Sequence, residues 1–410
     1  MGITKKTNSI LFATFSVRNN GQRTATNGMI EPMIAFVAPK VERFIFIEQP
    51  HPGSDTVIPF IEVYKKGKFK KRSQHLFLPR ILAPFLTVTN INQTQPIFKI
   101  RDFLSVLEFT LRNRHQKHDL FIGLEAINAL AGIILRKLGI VETVVYYVSD
   151  YSPARYKISL VNKFYLFLDR FAATHANFIW DVSLAMMPAR IKVGLDPKKA
   201  APVIHVPNAL FPKQINYLSY SKIMPNSLVF VGTLGKINGP DIAIQALKMV
   251  LRSITSATLH IYGGGEPDMT RLKKLTEKLK LNKQVIFHGF ISDQVKLSQE
   301  TRKYAIGLAP YLEIPGSPRW WADATKIRLY LAAGLPVITT RVPPLGKEVE
   351  TDEAGIITKD NPQDTAGAIL KLLKNKKLFN KMKKNAIKRA KNNTWENTFS
   401  QALDKMSIQL

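Results

Sequence analysis

Short apolar segments alternate with helical patterns through the second half of the chain. Six of these segments have the length and composition of strands, at residues 228–232, 258–262, 284–288, 304–309, 336–340 and 355–358. Between the first three, apolar residues recur at helical spacing. Strands that alternate with helices pair in parallel, because each helix returns the chain to the same end of the sheet. The pattern therefore predicts a doubly wound α/β domain.

The stretch 304–340 is the part of this pattern that most directly indicates a ligand site. An apolar strand ends at Pro310, a loop that contains Asp323 follows, and a helix runs from Thr325 to Ala333 before Gly334 stops it. In open α/β sheets such turns lie outside the carboxyl ends of the strands, where helix N-terminal amides attract anions. The sequence therefore predicts an anionic ligand at this turn.

The first half of the chain shows the same alternation less regularly. Strands are predicted at residues 10–16, 43–48, 119–124, 143–148, 178–182 and 203–206. Residues 53–100 contain scattered prolines and are predicted only as irregular structure or short strands. A chain of 410 residues exceeds the usual size of one hydrophobic core. We therefore expect two doubly wound domains that face each other across a cleft, with a linker at 207–227.

The charge balance limits the choice of partners. Fifty-nine Lys and Arg against thirty Asp and Glu give a formal net charge of +29, and basic residues cluster at 65–72 and 374–391. By charge alone such clusters fit an anionic membrane surface or nucleic acid equally well, and they also fit solvated faces that bind nothing. No recognisable nucleic-acid-binding module accompanies them, so nucleic acid is not an expected partner.

Other features bear on the compartment. The chain has no cysteine, which excludes disulfides and thiolate metal sites and favours a reducing compartment. The N-terminal residues lack the apolar core of a signal peptide, and the longest apolar run, near 129–135, is shorter than the roughly 20 residues that cross a bilayer. We expect a cytoplasmic protein that is peripheral on the inner face of the membrane.

One segment of the first half is ambiguous. Residues 76–86 combine Arg80 with large apolar side chains, and this mixture fits either a membrane interface or ordinary core packing, which is the commoner role. The apolar residues concerned are Phe77, Leu78, Ile81, Leu82 and Phe85.

The motifs of the second half occur in the order and spacing of a known family. They are VFVG at 229–232, NGPD at 238–241, IYGGGE at 261–266, VIFHGF at 285–290 and KIRLYLAAGLPVI at 326–338. This series resembles the donor domain of retaining GT-B glycosyltransferases of family 4, the glycosyl transferases group 1. The tripeptide at 206–208 is similar to the family's linker motif, residues 19–21 occupy the place of its first glycine-rich loop, and residues 394–396 resemble the start of its last helix.

The resemblance implies an architecture and an activity. It implies a GT-B fold of two Rossmann-like domains, with residues 1–210 on the acceptor side, residues 211–390 binding the donor, and residues 391–410 as a helix that crosses back to the first domain. It further implies that a sugar passes from a UDP or GDP sugar to a cell-envelope polysaccharide or lipid-linked acceptor, with retention and without a metal or other cofactor. The alternative is a catalytically degenerate scaffold that binds a membrane or a partner enzyme.

The donor site follows from the same resemblance. Departure of a diphosphate builds negative charge, which backbone amides, a helix N-terminus and a cation stabilise without a metal. Lys326 is the expected catalytic cation, and Lys236 is a second candidate. The other donor-side candidates are Gly232, Thr233, Asn238, Gly239, Tyr262, Gly263, Gly264, Gly265, Asp323 and Thr325.

The chain departs from the family pattern at four positions. Thr233 and Asn238 stand where the family has Arg and Lys, and Trp321 and Leu329 stand where it has paired glutamates. The second glutamate normally binds the nucleotide ribose, which a leucine side chain cannot do. Asp323 is the nearest carboxylate and is the candidate to replace it at the ribose or the sugar.

The acceptor side is predicted from residues that follow strands of the first half. Asp150 is the catalytic candidate there, since its carboxylate is placed to orient an acceptor hydroxyl, although it is equally compatible with a helix cap. Tyr151 and Gly21 complete the acceptor-side set. Glu125 ends the preceding strand and is also compatible with a cap.

Overall fold

The structure, a computed structural model, describes residues 5–24, 27–86 and 91–410, with residues 91–95 as backbone only. The chain folds into two compact units. The first comprises Met1–Asn208 together with Thr398–Leu410, and the second comprises Ala209–Asn397.

The first unit contains eleven strands before the second unit begins, in the part of the chain that the structure describes. The strands are β1 (Lys5–Lys6), β2 (Ser9–Ser16), β3 (Arg18–Asn19), β4 (Gln22–Arg23), β5 (Arg43–Pro50), β6 (Phe60–Lys65), β7 (Lys68–Ser73), β8 (His118–Leu124), β9 (Val141–Val148), β10 (Phe178–Asp181) and β11 (Val203–His205). The helices are α1 (Ile30–Val37), α2 (Phe77–Leu82), α3 (Ile91–Arg112), α4 (Glu125–Lys137), α5 (Ser159–His175) and α6 (Met186–Lys192).

The main sheet of the first unit has the order β11-β10-β9-β8-β2-β5-β6-β7. All neighbours are parallel from β11 to β5, whereas β6 and β7 are antiparallel additions at one edge. The central strands β2 and β5 are apolar along most of their length because helices cover both faces, and Ile10 and Phe44 have no exposed surface. From β2 the chain continues to β5 on one side, and after β7 it returns to β8 on the other side of β2. The topological switch point therefore lies between β2 and β8.

The second unit contains six strands and seven helices in sequence, followed by α14. The strands are β12 (Ser227–Val231), β13 (Thr258–Tyr262), β14 (Val285–Gly289), β15 (Ile306–Ala309), β16 (Val337–Thr339) and β17 (Gly355–Ile357). The helices are α7 (Pro240–Val250), α8 (Asp268–Lys278), α9 (Gln294–Thr301), α10 (Thr325–Ala332), α11 (Pro344–Thr351), α12 (Pro362–Lys374) and α13 (Lys376–Asn392), and α14 (Trp395–Lys405) follows them.

The sheet of the second unit is wholly parallel, with the order β14-β13-β12-β15-β16-β17. Counted along the chain this is the order 3-2-1-4-5-6 of a doubly wound nucleotide fold, as the alternation of apolar segments and helices predicts. The switch point lies between β12 and β15, so the loops that follow Val231 and Ala309 flank the position where such folds bind ligands.

The last residues of the chain fold with the first unit. Strand β18 (Ile408–Gln409) pairs in parallel with β1. The ring of Phe399 lies 5.4 Å from that of Phe36 and 6.2 Å from that of Trp180. These apolar contacts give the terminal residues a place in the core of that unit.

Residues 53–100 contain the predicted short strands, as the β6–β7 hairpin, but they also contain the unpredicted helix α2 and the start of α3 at Ile91. The prolines misled the prediction because Pro79 lies in the first turn of α2, where its missing N–H costs no hydrogen bond. The expectation of core packing for residues 76–86 is also wrong for most side chains, since Phe77, Ile81 and Phe85 are more than half exposed.

Among the residues that the structure describes, no helix combines the length and the apolar character needed to cross a membrane.

Candidate functional site

Helix α10 is fixed against the switch point of the second unit by one tyrosine. The hydroxyl of Tyr330 accepts a hydrogen bond from the amide of Val231 at 2.8 Å and donates one to the carbonyl of Leu308 at 3.0 Å. Its ring occupies the space beside Gly307, where a Cβ atom would lie 2.3 Å from the ring. The glycine and the tyrosine together hold α10 against β12 and β15.

Lys326 lies in the first turn of α10 and points into this switch point. Its side chain is buried, and Nζ has no hydrogen-bond partner among the described residues. Nζ lies 4.1 Å from the centre of the Phe230 ring and 4.8 Å from that of Tyr311. On its remaining side is Gly232, where a Cβ atom would come within 3.2 Å of Cε of the lysine. Sequence reasoning expects this cation to be open to an anionic ligand, whereas the structure buries it against the rings of Phe230 and Tyr311.

The electrostatic state of Lys326 follows from these surroundings. Burial, with nearby Arg319 as a second cause, lowers the pKa of Lys326 well below its usual value of 10.5. Buried ammonium groups without a partner are rare in proteins because desolvation is not compensated. An anion beside Nζ would supply the missing partner and raise the pKa again. The protonated form of Lys326 is therefore favoured more with an anion beside it than without one.

Arg319 is a second cation that sequence reasoning missed. It lies in the 3-10 turn Pro318–Trp320, with its guanidinium 6.0 Å from the centre of the Tyr311 ring. Its Nε atom is buried and has no hydrogen-bond partner among the described residues. The signal in the sequence is its position inside the loop between β15 and α10, next to the two tryptophans.

The glycines of the second unit mainly permit close packing of loops. The amide of Gly232 donates to the carbonyl of Tyr262 at 2.8 Å, and that of Gly263 donates to Gly289 at 2.9 Å. The amide of Gly232, a predicted donor-side residue, is therefore already engaged and is not free to bind a diphosphate. A Cβ atom at Gly239 would lie 1.7 Å from the carbonyl oxygen of Pro310, so this residue must be glycine for the two loops to meet.

Three polar candidates lie on the loop after β12. Thr233 is exposed, and its hydroxyl accepts a hydrogen bond from the side-chain amide of Asn238 at 2.7 Å, which stabilises the loop. Lys236 is exposed on the same loop and has no ion pair in the part of the chain described.

Of the glycines after β13, Gly264 is close to Phe290, whereas Gly265 has a φ of +105° and open space around its α-carbon.

Tyr262, one of the predicted donor-side residues, is engaged in contacts within the second unit. Its hydroxyl lies 2.7 Å from that of Tyr304, and its ring stacks on His288 at 4.4 Å between centres. Burial raises the pKa of Tyr262. The residue is part of an aromatic cluster on the β13–β14 edge of the sheet and is committed there.

Asp323 is also engaged, which corrects the expectation that it reaches out of its loop. Its side chain is 1% exposed, and its two oxygens accept hydrogen bonds from Nε of Arg328 at 3.0 Å each. Nη1 of Arg328 in turn donates to Asn393. The carboxylate therefore orients Arg328, and its contact with a ribose stays a prediction. Thr325 is exposed at the start of α10.

Glu125 is the notable residue at the switch point of the first unit. It follows β8 and begins α4 with a φ of +68°, a left-handed conformation that costs a branched or bulky side chain of order 1 kcal/mol or more. Its carboxylate is buried and accepts a hydrogen bond from the hydroxyl of Ser149 at 3.0 Å. Sequence reasoning treats Glu125 as a cap, and it reveals nothing of the backbone strain.

Asp150 and Tyr151, the predicted acceptor-side pair, have different environments. The carboxylate of Asp150 is 55% exposed and lies 3.1 Å from Nη1 of Arg155. Although burial opposes it, the carboxylates of Glu125 and Asp150 raise the pKa of Arg155. Tyr151 is fully buried beneath the guanidinium of Arg190, at 4.7 Å. The prediction that Tyr151 faces an acceptor is therefore wrong.

Gly21 belongs to a hairpin rather than to a glycine-rich loop. Asn20 and Gly21 have φ values of +52° and +71° and join β3 to β4, as in a two-residue turn. The amide of Gly21 donates to Asp55 at 2.7 Å. Residues 19–21 therefore form a hairpin turn that is hydrogen-bonded to Asp55, and not the ligand-binding loop that was expected.

Within residues 5–24, 27–86 and 91–410, no group of three or more His, Cys, Asp or Glu side chains is arranged to hold a metal ion.

Comparison with known proteins agrees with this architecture. Residues 225–375 match the sequence profile of the family Glycosyl transferases group 1. No curated protein sequence matches the chain significantly.

Solved structures match over almost the whole length. Sucrose-phosphate synthase from Thermosynechococcus elongatus has a TM-score of 0.70 at 15% identity, covering 97% of this chain and 99% of that one. HepE of Anabaena, solved with UDP-glucose, has a TM-score of 0.62 at 17% identity over 98% and 99% of the two chains. WaaG, a glycosyltransferase involved in lipopolysaccharide biosynthesis, has a TM-score of 0.62 at 16% identity over 97% and 99%. The predicted α/β architecture and GT-B fold are confirmed, and so is the resemblance on which they were based.

Proposed function

We propose that the protein is a glycosyltransferase that transfers a sugar from a nucleotide sugar, of UDP or GDP type, to a saccharide acceptor with retention of configuration. The observation that carries the proposal is the buried, unpartnered ammonium of Lys326 at the β12–β15 switch point. Doubly wound folds bind nucleotides at this position. The match of residues 225–375 to Glycosyl transferases group 1 and the similarity to HepE, solved with UDP-glucose, support the same reading.

Lys326 and Arg319 are assigned to the donor diphosphate. When the bond between the anomeric carbon and the diphosphate breaks, the leaving group gains negative charge, and preorganised cations in a poorly hydrated site stabilise that charge strongly. The two side chains flank the Tyr311 ring and lack the hydrogen bonds that a phosphate would provide. In this proposal they perform the role for which other enzymes use a metal ion. Lys236 and the exposed Thr233 are assigned to the outer part of the same site.

Glu125 and Asp150 are assigned to the acceptor. Both follow parallel strands of the first unit at the carboxyl end of the sheet, and both lie near Arg155. A strained backbone persists only where the surrounding structure imposes it, and such residues cluster at functional sites. In the transfer step the acceptor oxygen bonds to the anomeric carbon as the diphosphate leaves. The hydroxyl proton passes to the departing phosphate oxygen, so no protein base is required beside the anomeric carbon.

The acceptor is proposed to be a cell-envelope polysaccharide or a lipid-linked saccharide, handled on the cytoplasmic face of the membrane. The net charge of +29 supports a polyanionic neighbour. The similarity to WaaG, which is involved in lipopolysaccharide biosynthesis, supports an envelope acceptor.

The decisive experiment is a binding panel. Thermal-shift titration with UDP-glucose, UDP-N-acetylglucosamine, GDP-mannose and ADP-glucose is expected to raise the Tm for one nucleotide class, and the shift is expected to vanish in Lys326→Ala. Lys383→Ala is a control for removal of a buried lysine elsewhere in the second unit, since Nζ of Lys383 donates to the carbonyl of Gly334. Absence of any shift at millimolar concentration across the panel would count against the proposal.

A degenerate scaffold is the second candidate, because Leu329 stands in place of a ribose-binding glutamate and Asp323 is committed to Arg328. The two candidates differ in turnover. Release of nucleoside diphosphate that disappears in Lys326→Ala excludes the scaffold, whereas binding without any release, with or without saccharide acceptors, favours it.

A further inference from the structure

One stretch of the first unit combines exposed apolar side chains with an excess of positive charge. Between Glu62 and Asp102 the sequence has nine Lys and Arg and no Asp or Glu. Within this stretch Phe69 on β7 is 52% exposed, and on α2 and the turn after it Phe77 is 59%, Ile81 is 51% and Phe85 is 62% exposed. Large exposed apolar side chains that lie close together mark a site of interaction, and these four are close along the chain. The exposed side chains of residues 65–85 are called the β7–α2 surface below.

The protein holds these side chains outward by specific contacts. Glu108 of α3 accepts hydrogen bonds from the amides of Phe77 and Leu78 at 2.6 and 2.8 Å, which fixes the start of α2. Leu76 and Pro79 are buried and anchor the helix on its inner side. Arg80 donates to the carbonyl of Gln74 at 3.1 Å and ties α2 to the end of β7. The outward direction of Phe77 and Ile81 is therefore set by the fold.

The charge of the surface is mostly uncompensated. Lys66 pairs with Glu42 and Arg72 pairs with Glu62. In the described part of the chain, no carboxylate pairs with Lys65, Lys68, Lys70 or Lys71, all of which are exposed. Lysines on an edge strand also discourage strand pairing between molecules. That role explains the lysines of β7 but leaves the exposed phenylalanines unexplained.

We propose that the β7–α2 surface docks the protein on an anionic lipid bilayer, with the apolar side chains in the interface and the lysines at the headgroups. Each basic residue near such a surface multiplies partitioning roughly fivefold, and amphipathic segments add the burial of apolar side chains. A neutral protein partner would leave the lysines unpaired. The inference deepens the proposed function by specifying how the enzyme meets a membrane-bound acceptor, and in that respect it rests on that function.

A second apolar face provides a test of the assignment. On α5, Leu160, Phe164 and Phe167 are 77%, 61% and 53% exposed and form one stripe. Only Lys157 and Lys163 among the nearby exposed residues are basic. Anionic lipid should therefore prefer the β7–α2 surface, where the charge is higher.

The experiment is sedimentation of the full-length protein with vesicles of phosphatidylcholine alone or with 30% phosphatidylglycerol. Wild type is expected to bind the anionic vesicles at least tenfold more tightly, and 1 M salt is expected to weaken that binding by at least tenfold. The variants F77S/I81S/F85S and K68S/K70S/K71S are each expected to lose at least tenfold. Phe290→Ser, which removes a side chain 76% exposed in the second unit, is the matched control and is expected to bind as wild type does.

Three results would overturn the proposal: unchanged binding in F77S/I81S/F85S, equal binding to both vesicle types, or loss of binding only in L160S/F164S/F167S. Light scattering can give a fourth such result. If the wild type is a dimer, F77S/I81S/F85S is a monomer and neither binds vesicles, the surface is assigned to a second copy of the chain. Thermal shifts with nucleotide sugars are measured on every variant. Vesicle binding without any such shift supports docking while contradicting the proposed function, and the two failures are thereby distinguished.

Discussion

The ammonium of Lys326 lies directly against the backbone at Gly232. A Cβ atom at Gly232 would come within 3.2 Å of Cε and 3.4 Å of Nζ of the lysine. The absence of a side chain at the end of β12 is therefore what allows a cation from α10 to occupy the switch point. This relationship joins a strand end and a helix start into one candidate site.

The first prediction concerns Gly232→Ala. The residue has a φ of +124°, so alanine is expected to lower the free energy of unfolding by about 1–2 kcal/mol and to displace Lys326, with loss of nucleotide-sugar binding. Gly139→Ala is the matched control, because Gly139 also has a positive φ, +69°, but follows α4 in the first unit and has open space around it. Chemical denaturation and calorimetric titration of both variants measure the difference. Equal loss of binding in the two would contradict a specific role for the contact between Gly232 and Lys326.

The second prediction concerns Lys326→Met. An unpartnered buried donor costs about 1–3 kcal/mol, so methionine is expected to stabilise the free protein by that amount while abolishing donor binding. The folded protein holds the pKa of Lys326 below 10.5, so below pH 10.5 the unfolded chain binds a proton that the folded chain does not. The gain in stability from methionine should therefore grow as the pH falls from 10.5 toward the lowered pKa. Urea denaturation at several pH values tests this, and a destabilised variant would show that the ammonium has a partner.

A third prediction is that nucleotide-sugar binding takes up a proton. The pKa of Lys326 is lowered in the free protein, and a diphosphate beside it would raise that pKa. At pH values between the pKa of Lys326 in the free protein and its pKa in the complex, the affinity for the nucleotide sugar is expected to fall as the pH rises, by at most tenfold per pH unit. Titration calorimetry in buffers of different ionisation enthalpy measures the uptake. In Lys326→Arg, whose guanidinium is protonated at every pH used, the uptake should vanish, and an unchanged proton count there would assign it to another group.

The fourth prediction concerns Glu125. Glycine at this position relieves the strain of a φ of +68°, so Glu125→Gly is expected to raise the free energy of unfolding by about 1 kcal/mol. The rate of sugar transfer should nevertheless fall at least tenfold in both Glu125→Gly and Glu125→Gln. Donor binding should be unchanged in both variants. Glu142→Gln is the control, since its carboxylate is 59% exposed and pairs with Lys5. A Glu125→Gly variant that retains transfer would reduce Glu125 to a structural residue.

The fifth prediction separates the structural role of Asp323 from a ribose contact. Asp323→Asn leaves the guanidinium of Arg328 buried without its charge partner and is expected to destabilise the protein by about 3–5 kcal/mol. The double variant Asp323→Leu, Arg328→Leu should recover most of that loss, as denaturation will show. If the double variant also binds nucleotide sugar like wild type, the ribose does not depend on Asp323.

The strength of the periodic signal decided how well secondary structure was predicted. All six strands of the second unit were predicted within two residues of their ends, because buried parallel strands are apolar runs and their helices are strongly patterned. In residues 53–100 the edge hairpin, rich in lysine, was predicted only as short strands without bounds, and helix α2, which contains Pro79, was not predicted because neither has such a pattern.

The sequence by itself determined the order of strands and helices, the resemblance to a glycosyltransferase family and the presence of Lys326 at the turn after β15. Only the tertiary structure decided that this lysine is buried beside Gly232, that Asp323 and Tyr262 are committed to other partners, and that Phe77 and Ile81 face outward. The physical reason is that periodicity reports which face of an element is apolar, whereas the partner of a polar group and the exposure of a side chain depend on residues distant in the chain.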